Sequence, residues 1–342
     1  MEQKYQDYML QQLQALLAID SPSGYTEAVT AYLAEELKKL GLEPQLPVKG
    51  GVNACIGGSG NGLMLFAHVD TLGAMVHTIL PNGRLKVVPV GGLNANNVET
   101  ENVTVITRFA GRHEGTFQFP NASTHVNPKV NDSRSFDGGL EVVLDEEVSS
   151  AADVKKLGIC PGDFVAVEPR TRITRTGYIK SRFLDDKASA AVLLTLAKWV
   201  KEEQIALPRE VWIGFTVYEE VGHGAAHFMP AGATEAISVD MGCVGNGLQC
   251  TETQVSICAK DRGGPYNYEV TTGLIKAAMD NGVDYAVDIY PFYGSDVDVA
   301  LKSGFDIKHG LIGPGVYASH GYERTHIKGL AATFDLLRAY VK

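Results

Sequence analysis

Hydrophobic residues at the start of the chain recur at the helical spacing of three and four residues, in two runs that end before Gly41. The sequence Ser-Pro-Ser-Gly separates the runs. Their apolar positions are Leu10, Leu13, Leu16 and Leu17, then Val29, Leu33, Leu37 and Leu40. Two amphipathic helices are therefore predicted. Two shorter apolar runs follow between Asn53 and Ala67, and the GGSGNG sequence between them predicts a β-hairpin.

The pattern changes in residues 73–172. This part of the chain consists mostly of short stretches in which apolar and polar residues alternate, such as TVITRFAG, GTFQFP and LEVVLDEE. A period of two residues is typical of strands, and little helical spacing is present. We therefore expect an inserted, mostly β domain here.

Helical and strand patterns alternate again after Ile179. Helices are expected in AVLLTLAKWV, GLIKAAMDNG and AATFDLLRAYV, and strands in VWIGFTV, AISVD and DIKHGLIG. Such alternation is typical of an α/β fold in which helices flank a sheet. The prediction is one α/β domain with a helix-flanked mixed sheet, formed by residues 1–72 and 173–342, into which the β-rich domain is inserted.

Length and charge agree with two domains and limit the partners. The 342 residues exceed the roughly 250 to 300 that one hydrophobic core serves. Forty acidic residues against 30 basic ones give a net charge of −10, which disfavours binding to nucleic acid. The N-terminus lacks a secretion signal, and no apolar run reaches the roughly 20 residues of a membrane span. We expect a cytoplasmic protein with no nucleic-acid or membrane partner.

The cysteines indicate neither disulfides nor a thiolate metal site. They are odd in number and include no C-x-x-C pair. Free thiols are expected at Cys55, Cys160, Cys243, Cys250 and Cys258.

Acidic residues and histidines directly follow several of the expected strands. In open α/β sheets, ligands bind beyond the carboxyl ends of the strands, so these residues are candidates for a single site. They are His68 and Asp70, Asp185 and Asp186, Glu219 and Glu220, Asp240, and His320.

Most of these residues also have an ordinary structural explanation. His68 could be a histidine satisfied at a strand end, or a metal ligand whose other ring nitrogen is oriented by Asp70, since residues two apart on an extended segment point the same way. One of Asp185 and Asp186 could cap the following helix, which leaves the other to bridge two metal ions. Asp240 could form a turn.

The pair Glu219 and Glu220 suits a metal site better than sugar hydrolysis. Glycosidases hold two carboxyl groups about 5 to 9.5 Å apart across one bond, whereas neighbours on a strand point to opposite sides. Opposite directions fit one metal ligand and one base. Solvated surface glutamates are the alternative, which the buried character of the preceding VWIGFTV strand disfavours.

The segment SHGYERTH offers two histidines for a last ligand. His320 lies near the end of the expected strand, whereas His326 leads into the closing helix toward the surface, so His320 is favoured. Asp261 and Asp296 are candidates for contact with a substrate amine, although a helix cap explains Asp296 equally well. The sequence assigns no role to two further histidines, His223 and His227.

In their order along the chain, the HVD, LDD, EEVG and VD motifs and the late histidine resemble the co-catalytic aminopeptidases of metallopeptidase family 42, which include the glutamyl and tetrahedral (TET) aminopeptidases. The similarity covers essentially the whole chain, including a β-rich insertion between HVD and LDD. It implies a catalytic domain of the di-zinc exopeptidase type. Lys187 follows the aspartate pair here, where the family more often has arginine.

The resemblance implies a role for each candidate residue. Two divalent metal ions, zinc or cobalt, would be bound by His68 and Asp240, by Glu220 and His320, and by Asp185 between them. Glu219 would be the general base that takes a proton from a metal-bridging water. Asp70 would orient His68.

The implied function is the removal of N-terminal residues from peptides. The inserted domain would pair subunits into dimers, which assemble into a dodecamer. A related di-metal carboxypeptidase or N-acyl amino acid deacylase is the alternative enzyme, although its second domain typically follows the Glu-Glu motif. A non-catalytic protein that has kept the fold is disfavoured, because neither a ligand nor the base is missing.

Overall fold

The computed structural model describes residues 1–342 and divides them into two compact units. Unit 1 comprises residues 1–70 and 170–342, and unit 2 comprises residues 71–169. None of the helices combines the length and the apolar character that a membrane span requires.

Helices and strands alternate along most of the chain. The helices are α1 Gln3–Leu17, α2 Glu27–Lys39, α3 Ala151–Lys156, α4 Leu184–Glu202, α5 Tyr268–Asp280, α6 Asp296–Lys302 and α7 Ile327–Tyr340. The first strands are β1 Val52–Gly57, β2 Gly62–His68, β3 Gly73–Ile79, β4 Leu85–Val90, β5 Asn102–Ile106, β6 Arg112–Gln118, β7 Glu141–Leu144, β8 Phe164–Val167 and β9 Arg172–Ile173. The later strands are β10 Tyr178–Ser181, β11 Val211–Thr216, β12 Ala233–Val239, β13 Gly242–Val244, β14 Val255–Lys260, β15 Tyr285–Ile289, β16 Lys308–Tyr317 and β17 Glu323–His326.

The two N-terminal helices form where the apolar spacing predicted them. Helix α1 buries one face, which includes Tyr5, Met9 and Leu13. Helix α2 ends just before Gly41, whose φ of +72° lies in the left-handed region that glycine adopts without strain.

Unit 1 is built on an 11-stranded mixed sheet, which confirms the predicted fold class. Its main path runs β1-β11-β2-β12-β16-β17-β10-β9, and β13, β14 and β15 join beside β16. Strands β11, β2, β12 and β16 are parallel to their neighbours in that row, whereas β1 is antiparallel to β11. The carboxyl ends of four adjacent strands therefore meet at one edge.

The predicted hairpin between the first two strands is wrong. Strand β11 lies between β1 and β2 and pairs with both. Every residue of β2 is buried, as in a central strand with parallel neighbours on both sides. The glycine-rich connection therefore links strands that are not adjacent.

Helix α4 is buried around almost its whole circumference. It packs against α1 and α7 and against β2. Residues 184–197 are all buried, which explains the continuous apolar run in AVLLTLA. Asp185 and Asp186 lie in a non-helical kink at the start of this element, before its regular helical part.

Unit 2 is a closed β-barrel with the strand order β3-β4-β7-β6-β5-β8 and one short helix, α3. Alternate residues of its strands, such as Val76, Val105 and Val142, fill the interior. Closure of the barrel pairs its edge strands, as small all-β units require.

Candidate active site

The parallel register of the sheet brings the predicted site residues together. His68 at the end of β2 lies opposite Thr216 at the end of β11, and β12 ends at Val239 on the other side of β2. The residues that follow these strand ends therefore lie beside one another. All seven predicted site residues, His68, Asp70, Asp185, Glu219, Glu220, Asp240 and His320, belong to unit 1.

Five of these residues form two groups whose ligand atoms lie within 4.8 Å of one another. Group A consists of His68, Asp185 and Asp240, and group B consists of Asp185, Glu220 and His320. Asp185 belongs to both groups. Its Oδ1 lies 3.1 Å from Nε2 of His68, and its Oδ2 lies 3.6 Å from Nε2 of His320.

His68 is oriented by main-chain contacts. Its Nδ1 lies 3.0 Å from the main-chain oxygen of Asp70, whereas the nearer carboxylate oxygen of Asp70 is 3.7 Å away. Asp70 therefore contacts the imidazole chiefly through its main-chain carbonyl group, and its carboxylate lies farther from the ring. The main-chain N–H of His68 donates to Oδ2 of Asp186 at 3.2 Å.

The carboxylate of Asp70 instead supports the glutamate pair. It accepts hydrogen bonds from the main-chain N–H groups of Glu219 at 3.1 Å and Glu220 at 3.3 Å. The hydroxyl of Ser23 donates to it at 2.5 Å. A fully buried carboxylate thus fixes the backbone that carries two site residues.

Glu219 and Glu220 lie in a short 3-10 turn, Glu219–Val221, and not on the preceding strand. The turn still separates their side chains. Oε2 of Glu219 is 3.7 Å from Nε2 of His68 in group A, and Oε2 of Glu220 is 3.5 Å from Nε2 of His320 in group B.

Asp185 and Asp186 have non-helical backbone angles, so the regular part of α4 starts directly after this pair. Oδ2 of Asp186 accepts a hydrogen bond from the main-chain N–H of His68. Asp240 accepts from the N–H of Met241 at 2.6 Å, so it both shapes a turn and faces group A.

The structure separates the two histidines of SHGYERTH. Nε2 of His320 faces group B. His326 is the residue before α7, where Nδ1 accepts from the N–H of Lys328 at 3.0 Å and Nε2 contacts the main-chain oxygen of Thr176 at 2.9 Å. His326 is buried, with only 8% of its surface exposed, so the expectation that it points toward the surface is wrong.

The sequence assigned no role to Glu323, which connects the backbones of the two groups. Glu323 is buried, and its two oxygens accept from the main-chain N–H groups of His320 at 3.0 Å and Asp185 at 3.1 Å. Ser319 donates to Oδ2 of Asp185 at 3.3 Å. The only signal for Glu323 was its position three residues after His320 in an otherwise polar segment.

Burial of several carboxyl groups side by side raises most of their pKa values. Burial is the largest cause for Glu219 and Glu220, and the charges of Asp240 and Asp185 respectively add to it, so that both pKa values lie well above the ordinary range. Burial and the charge of Asp185 raise the pKa of Asp240 to about 7. Such a concentration of negative charge is an environment that a cation stabilises.

Asp185 and His68 behave as an ion pair within this acidic site. Burial alone would raise the pKa of Asp185, but the hydrogen bond and charge of His68 lower it below its ordinary value. Burial opposes protonation of His68, yet Asp185 and the nearby Glu219 and Asp240 hold its pKa well above the ordinary value. A metal ion bound by His68 would require the neutral imidazole and would supply the positive charge in its place.

A cavity of about 870 Å³ opens onto both groups. Its outer wall includes Arg262, Phe292, Tyr293, Asp298 and Lys302. The carboxylates of Asp261 and Asp296 do not line it, because both are buried and accept hydrogen bonds from neighbouring residues. Neither is therefore placed to contact a substrate amine.

Two further histidines, His223 and His227, do not join the ligand groups. His223 stacks on the ring of Tyr218 with 4.9 Å between ring centroids. His227 has a φ of +67° and belongs to neither group A nor group B.

Comparison with known proteins identifies close relatives. A family model described as M42 glutamyl aminopeptidase matches residues 50–336. YhfE of Bacillus subtilis (strain 168), provisionally named an aminopeptidase, is 42% identical over 332 residues, which cover 96% of this chain and 96% of that protein. The glutamyl aminopeptidase of Lactococcus lactis subsp. cremoris (strain MG1363) is 28% identical over 222 residues, covering 63% of this chain and 60% of that protein.

Solved structures share the fold over nearly the whole chain. A TET aminopeptidase from a marine sediment archaeon of the Thaumarchaeota has a TM-score of 0.89 at 19% identity, and covers 98% of this chain and 96% of its own. The TET1 peptidase of Pyrococcus horikoshii, which can assemble into a tetrahedron or a large octahedral shell, has a TM-score of 0.86 at 21% identity and covers 97% of this chain and 99% of its own.

Proposed function

Because this chain belongs to the M42 glutamyl aminopeptidase family and is an aminopeptidase, we propose that groups A and B each hold one divalent metal ion for hydrolysis of the N-terminal peptide bond. The observation that carries this proposal is the position of Asp185. Its two oxygens face His68 of group A and His320 of group B. A carboxylate shared in this way is the arrangement of a bridged metal pair.

The donor atoms suit zinc or cobalt. Each group offers one imidazole and two carboxylates, and neither contains a thiol. Burial raises the pKa values of Glu220 and Asp240, and a bound cation would lower them again because it stabilises the ionised carboxylates. When bound, the metals polarise the scissile carbonyl and stabilise the charge that develops on its oxygen.

We assign the general base to Glu219, a carboxylate that lies beside group A but belongs to neither group. Its pKa is raised well above the ordinary value, chiefly by burial, which makes the carboxylate a stronger base than an exposed glutamate. Glu219 takes this proton from the attacking water and returns it to the leaving amine. Asp70 supports this role by holding the backbone N–H of Glu219.

Hydrolysis of a panel of aminoacyl chromogenic substrates tests the proposal. We expect activity on substrates with a free α-amine, loss of that activity after chelation, and recovery with Zn²⁺ or Co²⁺. N-acetylated forms of the same substrates are the matched control: an aminopeptidase should release neither chromophore nor acetate from them, whereas a deacylase would release acetate. Full activity in a sample shown by elemental analysis to be free of metal would contradict the metal centre.

We propose that the inserted domain, predicted at residues 73–172, pairs subunits into dimers and that dimers assemble into a dodecamer. None of the seven site residues lies in unit 2, so this unit is free for assembly. The most exposed large apolar side chains of this unit are Phe109 at 99% and Val126 at 68%. The TET1 peptidase, which shares the fold, forms tetrahedral and octahedral shells.

We propose peptides in the cytoplasm as the substrates. All five cysteines are free, as is usual in a reducing compartment. The net charge of −10 disfavours nucleic acid as a partner.

A further inference from the structure

The segment that carries the proposed base has few regular contacts of its own. It comprises residues 217–225, here called the base loop, and connects the end of β11 to Ala225. Inside the loop, N–H groups of Gly222 and His223 donate to the main-chain oxygens of Glu219 at 2.7 Å and Tyr218 at 3.1 Å. Such a loop needs contacts from outside to hold one conformation.

Asp296 supplies a contact at each end of the base loop. This residue begins α6, and only 2% of it is exposed. Its Oδ2 accepts a hydrogen bond from the hydroxyl of Thr216, the last residue of β11. Its Oδ1 accepts from the main-chain N–H of Ala225 at 2.7 Å. One carboxylate therefore connects the point where the loop leaves the sheet to the point where it ends.

Lys49 holds the same end of the loop from another direction. Its ammonium group donates to the main-chain oxygen of Gly224 at 2.8 Å. The peptide group between Gly224 and Ala225 is thus held at its oxygen by a cation and at its N–H by Asp296. Charged partners make stronger hydrogen bonds than neutral ones.

The loop packs closely on this carboxylate. A Cβ atom added at Gly224 would overlap Oδ1 of Asp296 and would lie 3.0 Å from Cα of Glu219. The absence of a side chain at Gly224 therefore lets Asp296 and the backbone of Glu219 approach each other on either side of it.

Thr216 and Ala225 both donate hydrogen bonds to Asp296, so both of its side-chain oxygens must act as acceptors. An ionised carboxylate satisfies this requirement, whereas an amide would turn an NH₂ group toward one of the two donors. Burial raises the pKa of Asp296 to about 6, and the hydrogen bonds from Thr216 and Ala225 oppose that rise. The group is therefore ionised at neutral pH and above.

We propose that Asp296 is a positioning residue for catalysis, which fixes Glu219 by holding both ends of the base loop. The proposal rests on the proposed function of Glu219 as the base. Asp296 itself does not line the cavity, so it acts through Thr216 and Ala225 and not on the substrate.

The test is the Asp296→Asn variant of the metal-loaded enzyme. We expect kcat to fall about 10- to 100-fold, since a small misplacement of a catalytic group costs rates of this order. KM should stay within about twofold and both metals should remain bound, because no ligand is changed. Asp306→Asn, an exposed aspartate beyond α6, is the matched control and should keep wild-type kinetics.

Thr216→Val tests the same contact from the other side and leaves the charge in place. It should lower kcat and leave KM unchanged. The double variant Thr216→Val with Asp296→Asn should lose less activity than the product of the two single effects predicts, because both substitutions remove the same hydrogen bond. If Asp296→Asn does not fold, Thr216→Val decides alone. Wild-type kcat in the folded variants, or a change in KM alone, would overturn the proposal.

Failure of this inference is distinguishable from failure of the proposed function. A Glu219→Gln enzyme with full activity would reject Glu219 as the base and, with it, the role of Asp296. An inactive Glu219→Gln enzyme beside an Asp296→Asn enzyme with wild-type kcat would reject the role of Asp296 alone.

Discussion

Single carboxylates connect the parts of this site, each through main-chain groups. Asp70 contacts the imidazole of His68 with its carbonyl and the backbone of the glutamate pair with its carboxylate. Glu323 joins the backbones of Asp185 and His320 in the same way. The positions of the proposed ligands and base are thus fixed by buried groups that take no part in the chemistry.

Replacement of the proposed base by its amide is the first prediction at this scale. Glu219→Gln should lower kcat by about 100-fold or more, the usual effect of losing general base catalysis, and should keep two metals per subunit. Kinetics with parallel metal analysis measure both quantities. Glu220→Gln is the matched comparison and should lose the metal of group B; if Glu219→Gln lost metal instead, the two roles would have to be exchanged.

The second prediction separates the two histidines of one loop. His320→Ala should reduce bound metal from two ions to about one per subunit and nearly abolish activity, because His320 faces Asp185 and Glu220. His326→Ala should leave both metals in place, since both ring nitrogens of His326 bind the backbone. Metal analysis of the two purified variants decides, and the reverse pattern would transfer the ligand role to His326.

At the scale of single residues, the sequence predicted the site residues that follow strand ends. It missed the hydrogen bonds that hold these residues in place. His68 and Asp240 directly end or follow buried strands, and that position is visible in the apolar pattern. Glu323, Ser23 and the carboxylate contacts of Asp296 are not visible, because they depend on backbone groups distant in sequence. The periodic pattern of apolar and polar residues carries no information about such contacts.

At the scale of helices and strands, local patterns predicted which segments form helices and strands better than they predicted which strands pair with each other. The apolar runs of β2 and β11 were identified, yet β1 and β2 were wrongly paired because a glycine-rich connection is a local signal. Strand order depends on pairing between segments distant in sequence, such as β1 with β11, which a local pattern does not record. The fully apolar character of β2 was the available sign of a central strand.

Helix α4 provides a prediction about stability and pH. Lys187 is buried and donates to the main-chain oxygen of Ile19 at 2.7 Å, and burial lowers its pKa to about 7. The unfolded chain keeps the proton up to about pH 10.5, so the cost of the buried charge is complete below pH 7 and shrinks as the pH rises toward 10.5.

The free energy of unfolding of the wild type, relative to Lys187→Met, should therefore rise between pH 7 and about 9.5, by about 1 kcal/mol per pH unit. Denaturant unfolding of the metal-loaded proteins at several pH values measures this difference. Lys201→Met, at an exposed position of α4, is the control for the loss of a lysine from this helix. Parallel stability curves for the wild type and Lys187→Met would contradict the prediction.

At the scale of the whole molecule, the family and the aminopeptidase activity predicted from the motif order are confirmed by the match over residues 50–336 and by the 42% identical relative. The order of five short motifs was informative because each supplies a different strand end of one sheet. The N-terminal residue that the enzyme prefers in its substrates was not predictable from the sequence. Three residues of the cavity wall, Arg262, Asp298 and Lys302, lie in segments outside the five motifs.

Assembly is the prediction that belongs to this scale. If unit 2 pairs subunits, light scattering should return a mass well above the 36.8 kDa of one chain, and about twelve times that value for a dodecamer. Phe109 and Val126 are the most exposed large apolar side chains of unit 2 and are therefore the first candidates for a contact with another subunit. Phe109→Ser should lower the mass if this residue lies in such a contact, while Tyr268→Ser, at an exposed aromatic residue of unit 1, serves as the control.

Enclosure of the active sites in such an assembly would also restrict the substrates, so short peptides should be trimmed while a folded protein with the same N-terminal residue is spared. A 36.8 kDa species at working concentration, active on both substrates alike, would contradict assembly and the selectivity that follows from it.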